Sequence, residues 1–234
     1  MINNWQYNNF NILHYDEVAS TNELLIDLAK SRLVDDFTVI IANSQNSGKG
    51  QFARKWHSPL GNLYFSLLIR HQPHNQYFTA PNINQIGNVA VVAIYEAISK
   101  IAKEQLENCD NQLIKDSLSN LLSNMRIKFP NDLLINKEKV AGMLLASEIR
   151  SSVVDFVVIG MGVNITNHPP QYLLDNLPAN NLYQYGIKID NIGLLLKFLT
   201  EFMYFYQIWQ KFGIKQISQI WDKLLMPLPI YNAS

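Results

Sequence analysis

Three short segments carry residue types able to act on a charged acyl or phosphoryl group. Ser47-Gly48-Lys49-Gly50-Gln51-Phe52-Ala53-Arg54-Lys55-Trp56 is the densest, with Gly48 and Gly50 interleaved among Lys49, Arg54 and Lys55 and closed by Trp56. Glycine lets main-chain amides approach an anion, and the three cations add charge beside them. The spacing G-x-x-x-x-G-K-[ST] of a nucleoside-triphosphate P-loop is absent. A solvated hairpin loop accounts for these residues equally well when they are taken alone. Trp56 serves either as the hydrophobic anchor of the loop or as a lid over a ligand.

The second segment is Lys128-Phe129-Pro130-Asn131-Asp132. A lysine that ends a strand just before a proline turn holds its ammonium in one place, where it can stabilise charge on an acyl or phosphoryl oxygen. Asp132 can bind a cation, orient an amine or take its proton; a surface ion pair is the plainer reading of the same residues. The third is Lys139-Val140-Ala141-Gly142-Met143-Leu144-Leu145, with Glu148 beyond it, and the glycine-flanked Gly160-Met161-Gly162-Val163-Asn164. Glycine inside a strand marks close approach of a ligand or of another backbone, and a bulge fits each one singly. His71 and His74 flank Pro73 without a third ligand, so a metal site is rejected. The five histidines lie near no nucleophile elbow.

Several elements must position these residues. Ser20-Thr21-Asn22-Glu23 has the form of a capping box, with Ser20 accepting from the Glu23 amide and the Glu23 carboxylate reaching back. Leu24, Leu25 and Leu28 follow, which predicts a helix from Thr21 to Ser31. Phe37 to Ala42 and Leu63 to Ile69 read as buried strands, so the cationic segment lies in a loop from Asn43 to Asn62. The apolar period from Ile86 to Ile101 predicts a helix over Asn84 to Gln105, and the polar stretch to Ser123 reads as a helical surface insertion. A strand from Met125 to Phe129 turns at Pro130-Asn131-Asp132, continues over Leu133 to Ile135 and turns again at Asn136-Lys137-Glu138. Val140 to Ile149 and Val153 to Ile159 are further strands. Helices over Ile192 to Phe212 and Ile214 to Leu225 precede Pro227-Leu228-Pro229. No internal repeat is evident, and the pattern predicts an α+β fold with a mixed sheet packed against helices.

Composition narrows the function classes. The 234 residues suit one domain with a substantial core, and 48% hydrophobic against 16% charged content excludes a disordered chain. Lysine plus arginine equal aspartate plus glutamate at 19 each, so no overall field draws the chain to nucleic acid or to an anionic membrane. The single cysteine, Cys109, cannot form an internal disulfide, which fits a reducing cytoplasm. The N-terminus lacks a secretory signal, and Lys197 and Glu201 interrupt the apolar run Leu194 to Trp209. The glycosylation-type matches at Asn164 and Asn232 are then fortuitous.

In this order and context the segments resemble those of the biotin–protein ligases, over about Asp16 to Thr166. The matching residues are Ser20-Thr21-Asn22, Gln45, Gly48 through Pro59, Lys128 through Asp132, Lys139 through Leu144, and Gly160 through Asn164. The resemblance implies a catalytic domain like that of class II aminoacyl-tRNA synthetases and a two-step reaction. Biotin would be activated by ATP and Mg2+ to biotinyl-5′-AMP, then passed to a lysine of a carboxylase's biotin carrier domain. It implies biotin contacts from Ser20, Thr21, Asn22, Gln45, Gly48, Lys49, Gly50, Lys128 and Gly142. It implies nucleotide contacts from Arg54, Trp56, Asn131, Lys139 and Asn164, and catalytic roles for Lys128, Arg54 and Asp132. The substrate would bring Mg2+, with no metal cluster on the protein.

The family loop usually reads Gly-Arg-Gly-Arg-x-Gly-Arg, whereas Lys49, Gln51 and Ala53 stand here. Lysine does not reproduce bidentate arginine contacts, and Gln51 lacks a charge that would retain the adenylate. Looser retention is expected, read as biotinylation of bystander proteins by diffusion; strictly acceptor-dependent labelling would exclude it. Phe129 replaces the usual tryptophan. The ligase-type segments begin within twenty residues of Met1, so no winged helix and no direct DNA binding are expected, and the small C-terminal β-barrel domain is expected to be absent or truncated after about 225. A homodimer through a sheet edge is consistent with the fold. Two alternatives remain: a protein that binds biotin or biotinyl-AMP without transferring it, and a lipoate–protein ligase, whose Arg-Arg-x-x-Gly-Gly-Gly loop is missing.

Overall fold

The computed structural model describes residues 1–150, 153–170 and 177–226, with only the backbone of Ala53. The strands are β1 (Asn3–Tyr7), β2 (Phe10–Val18), β3 (Thr38–Gln45), β4 (Leu63–Arg70), β5 (Met125–Lys128), β6 (Asp132–Ile135), β7 (Glu138–Arg150) and β8 (Val153–Val163). The helices are α1 (Thr21–Lys30), α2 (Gln85–Glu107), α3 (Gln112–Asn124), α4 (Asn191–Phe212) and α5 (Lys215–Leu224). All eight strands form one mixed sheet in the order β1-β2-β3-β4-β8-β7-β6-β5. β2 and β3 run parallel, joined by α1 as the crossover such a pair requires, and the other neighbours are antiparallel. The Pro227-Leu228-Pro229 stop and Asn232 lie outside the described residues.

Side chains alternate between the two faces of a strand, and this alternation divides the core. Val39 and Ile41 of β3, Phe65 and Leu67 of β4, and Val157 and Ile159 of β8 face the layer built by α2, α4 and α5. Ile40, Leu68, Phe156 and Val158 point the other way and pack with Leu25 and Ala29 of α1. The central strands are buried on both faces, hence the nearly unbroken apolar runs of β4 and β8. α2 and α4 lie side by side on the sheet, α4 setting Phe198 against Phe65 of β4 at 4.8 Å between ring centroids, and in α2 Val89, Ala90, Val91, Val92, Ala93 and Ile94 are all buried. Among the described residues no helix is long and apolar enough to cross a membrane.

α1 is too short to cover its face of the sheet, and the sequence changes where it stops. Along β8, Phe156 and Val158 lie under α1, and the next two residues of that face are Gly160 and Gly162. The paired row beside Gly160 holds Ser66 and Leu144; beside Gly162 it holds Tyr64 and Gly142. Small residues thus leave space on the sheet where the helix ends.

Two strand expectations need correction, and one hairpin goes unannounced by the sequence. β1 and β2 form an N-terminal hairpin in which the edge strand β1 half-buries only Trp5 and Tyr7 between exposed polar residues. Asp132 to Ile135 does not continue β5 but returns antiparallel to it, pairing Lys128 with Asp132. β8 runs on through Gly160 to Val163 instead of ending at Ile159. α3 is helical as the stretch to Ser123 suggested, and it is more than a surface appendage because Leu118 and Leu121 are fully buried.

Candidate active site

A cavity of about 580 Å³ opens over this glycine floor. Its walls come from the start of α1, the end of β3, the loop between β3 and β4, the β5–β6 turn, the middle of β7, the end of β8 and residues 177 and 179. Every residue given a binding or catalytic role lines it except Gly48, whereas Glu148 does not line it and pairs with Lys30 at 3.5 Å. Gly48 lies behind the wall: a Cβ there would come within 2.7 Å of Ser58 Oγ and the Trp56 carbonyl, so glycine lets the loop pack against its own return.

At one end the groups are neutral and interlocked. The Thr21 amide and hydroxyl both donate to Gln45 Oε1, at 2.9 and 3.2 Å. Gln45 Nε2 donates to Ser58 Oγ at 3.0 Å, and Ser66 Oγ donates to the Thr21 hydroxyl at 2.9 Å. Ser20 caps α1 by accepting from the Glu23 amide at 3.4 Å. The other half of the predicted capping box is not made, because the Glu23 carboxylate pairs with Lys49 at 3.2 Å. Asn22 covers Gly160, where a Cβ would meet Asn22 Nδ2 at 2.5 Å, and this buried amide nitrogen has no partner. A buried unpaired donor costs stability, so it marks where a polar ligand atom gains most.

The other end is cationic and aromatic. The indole of Trp56 lies on the sheet over Gly142 and Gly162, with its ring atoms 2.4 Å from where a Gly162 Cβ would stand. Lys139 Nζ sits 5.1 Å from the ring centroid and 2.6 Å from Asp132 Oδ1, with both side chains mostly shielded. Lys128 is exposed at the rim. Arg54 lines the same wall and stacks 5.7 Å from the ring of Phe52, a residue with φ of 56° that is 85% exposed. Trp56 Nε1 and Asn164 Oδ1 are buried without partners among the described residues. Asn131 also lines the cavity, but its side-chain nitrogen and its carbonyl are committed to Met143.

The loop between β3 and β4 is tied at both ends. The Ser47 amide donates to the Ala19 carbonyl at 2.9 Å, and the Trp56 amide to the Gly48 carbonyl at 2.8 Å. Tyr64 donates to the Pro59 carbonyl at 2.9 Å, and burial pushes its hydroxyl well above the usual phenol range, so it remains a donor. Fully buried Asn62 accepts from the amides of Ile165, Thr166 and Asn167, which fastens the loop's exit to the segment after β8. Pro169, Leu177 and Ala179 also line the cavity, and the sequence gives no chemical signal for them.

Fold and site define an α+β domain with a cavity of small-molecule size, one end of it neutral and hydrogen-bonding and the other lined by cations. Residues 16–164 match the biotin/lipoate A/B protein ligase family, and the chain belongs to that family. It is 27% identical over 214 residues to the bifunctional ligase/repressor BirA of Bacillus subtilis (strain 168), covering 90% of this chain and 58% of that protein. It is 31% identical over 130 residues to the biotin–[acetyl-CoA-carboxylase] ligase of Paracoccus denitrificans, covering 56% of this chain and 45% of that protein. The chain therefore spans only about half the length of these relatives. The biotin protein ligase from Aquifex aeolicus in complex with biotin and ATP superposes with a TM-score of 0.69 at 25% identity, covering 93% of this chain and 79% of that one. A biotin protein ligase-like protein of unknown function from a Silicibacter species shares the fold alone, at 13% identity and a TM-score of 0.64, covering 92% of this chain and 78% of that one.

Proposed function

We propose that the chain is an ATP-dependent biotin–protein ligase. The observation that carries this reading is the succession along one face of β8. Gly160 lies under Asn22 and beside Ser66, whose hydroxyl joins the Thr21–Gln45–Ser58 hydrogen-bond set, and Gly162 floors the space shared by Trp56 and Lys139. Two residues of strand separate them by about 7 Å, which suits one ligand with a neutral cyclic urea at one end and a reacting carboxylate at the other.

Ser20, Thr21, Asn22 and Gln45 hold the ureido ring, whose donors and acceptors need partners once buried. The biotin carboxylate attacks the α-phosphorus of MgATP, an O–P bond forms, and the bond to the β-phosphate oxygen breaks to release pyrophosphate. Lys128 stabilises the charge shared by the carboxylate and α-phosphate oxygens; one such bond contributes about 1.5–3 kcal/mol. Arg54 and Lys49 add charge from the loop, while Trp56, Asn131 and Asn164 wall the nucleotide. A phosphate oxygen that engages Lys139 frees Asp132 to orient the acceptor's lysine amine and take its proton. That amine attacks the acyl carbon, and AMP leaves.

The acceptor is the biotin carrier domain of a carboxylase, the setting is the cytoplasm, and no direct contact with DNA is required. Pairing of two copies through a sheet edge is compatible with the architecture. The test is exchange of labelled pyrophosphate into ATP by the purified chain with Mg2+, comparing biotin with lipoate. Exchange with biotin alone is expected. Exchange with lipoate alone would move the chain to lipoate chemistry, and biotin binding without exchange would make it a binding module.

A further inference from the structure

We infer that Asn180, held by Glu138 and Tyr185, is a positioning residue that sets the nucleotide end of the cavity through Lys139 and Asn164. The inference rests on the ligase reading. Residues 178 to 180 belong to no strand of the sheet and touch β7 through one isolated bridge between Lys139 and Ala179. Main-chain bonds run both ways across it: the Lys139 amide donates to the Pro178 carbonyl at 2.7 Å, and the Asn180 amide donates to the Lys139 carbonyl at 3.1 Å. The Asn180 carbonyl then accepts from Asn164 Nδ2 at 3.0 Å. That bond fixes the Asn164 amide and leaves its buried Oδ1 as the unpartnered atom of a cavity-lining residue.

One side chain ties this strip laterally. Asn180 Nδ2 donates to Glu138 Oε2 at 2.8 Å, and the Tyr185 hydroxyl donates to the same oxygen at 2.6 Å. Glu138 opens β7 after the tight turn of Asn136 and Lys137, both with positive φ, and directly precedes Lys139. A half-buried carboxylate with two donors on one oxygen is held in one rotamer, because leaving it unpaired costs several kcal/mol. Tyr185 remains protonated, since burial and then the Glu138 carboxylate raise its hydroxyl well above the usual range. Asn180 thus joins the backbone of the lysine paired with Asp132 to the amide of Asn164, and among the described residues it makes no hydrogen bond at the neutral end. Losing its side chain therefore affects nucleotide affinity and leaves biotin affinity unchanged.

The test is calorimetric titration of ATP and of biotin separately into wild type and Asn180→Ala, with melting temperatures and the KM for ATP in pyrophosphate exchange. About tenfold weaker ATP binding and a raised KM at near-wild-type kcat and biotin affinity are expected, the equivalent of one hydrogen bond to a charged group. Glu138→Ala should do the same, while Glu138→Gln, which keeps an acceptor oxygen, should restore ATP affinity. Unchanged ATP affinity in Asn180→Ala, or parallel loss of ATP and biotin affinity, overturns the inference. If Asn180→Ala fails to fold, the Glu138 pair decides, and equal ATP affinity in Glu138→Ala and Glu138→Gln overturns it. Wild type that binds neither ligand refutes the ligase reading instead.

Discussion

Gly160 and Gly162 stand two residues apart on one face of β8, yet the spaces above them are built in opposite ways. Around Gly160, Thr21, Gln45, Ser58 and the neighbouring Ser66 satisfy one another, and the Asn22 amide nitrogen above the glycine lacks a partner among the described residues. Above Gly162, a ring delivered by a long loop lies on bare backbone, a lysine divides itself between that ring and Asp132, and both Trp56 Nε1 and Asn164 Oδ1 lack partners. The first space is preorganised by hydrogen bonds that join α1, β3 and β4 to Ser58 on the loop's return. The second depends on a loop and on the segment around Asn180. A preorganised pocket selects by fit, whereas an end built by a loop can rearrange around a charged group.

Lys128→Ala should break this division most severely. It is expected to reduce kcat for biotin-dependent exchange by about 10²–10³, the range for losing one preorganised donor, with circular dichroism unchanged. Near-normal turnover would remove Lys128 from the chemistry. Next, Gly162→Ala should cost more exchange activity than Gly160→Ala. A methyl at Gly162 meets the rigid Trp56 ring at 2.4 Å, while one at Gly160 meets the end of the Asn22 side chain, which can turn aside. Equal losses would mean that the two spaces respond as one.

Thr21→Val keeps shape but removes the hydroxyl shared with Gln45 and Ser66. Biotin affinity should fall about tenfold, the worth of a hydrogen bond in a buried set, with the KM for ATP unmoved; a shift in ATP alone would invert the assignment of ends. The smallest effect is expected far from both ends. Burial raises the Glu96 carboxyl, and Lys100, one helical turn further along α2, pairs with Glu201 at 2.6 Å. Because its folded pKa is raised, Glu96 favours the folded state most when protonated, below its unfolded value, and that contribution is lost as pH rises through the folded value. Glu96→Gln should therefore unfold at slightly higher urea than wild type at pH 7, the gap closing as pH falls below about 4, with exchange activity unaltered. A gap independent of pH would point to packing instead of charge.

Residue type carried much of this. The buried strands announce themselves through apolar runs, α1 through Ser20 and its leucines, and the site through glycine, lysine and amide residues where a core would demand bulk. The missed features share a cause: they act through main chain or exposed edge. β1 is polar because it has one neighbour and partial exposure. Leu177 to Asn180 contributes carbonyls, amides and one carboxamide, groups that every sequence contains. Glu23 fits a capping box, and only the position of Lys49 shows why its carboxylate is engaged elsewhere.

The sequence by itself determined an α+β domain of the biotin/lipoate ligase family and nearly all of the cavity's polar lining, because these depend on residue type and order. The tertiary structure decided which of those groups are already paired and which wait for a ligand. Thr21 closes on Gln45, Asp132 on Lys139, and Asn164 is turned by Asn180, while Asn22, Trp56 and Asn164 each keep one unpartnered atom. Pairing depends on distances of about 3 Å between segments far apart in the chain, and only packing sets those distances.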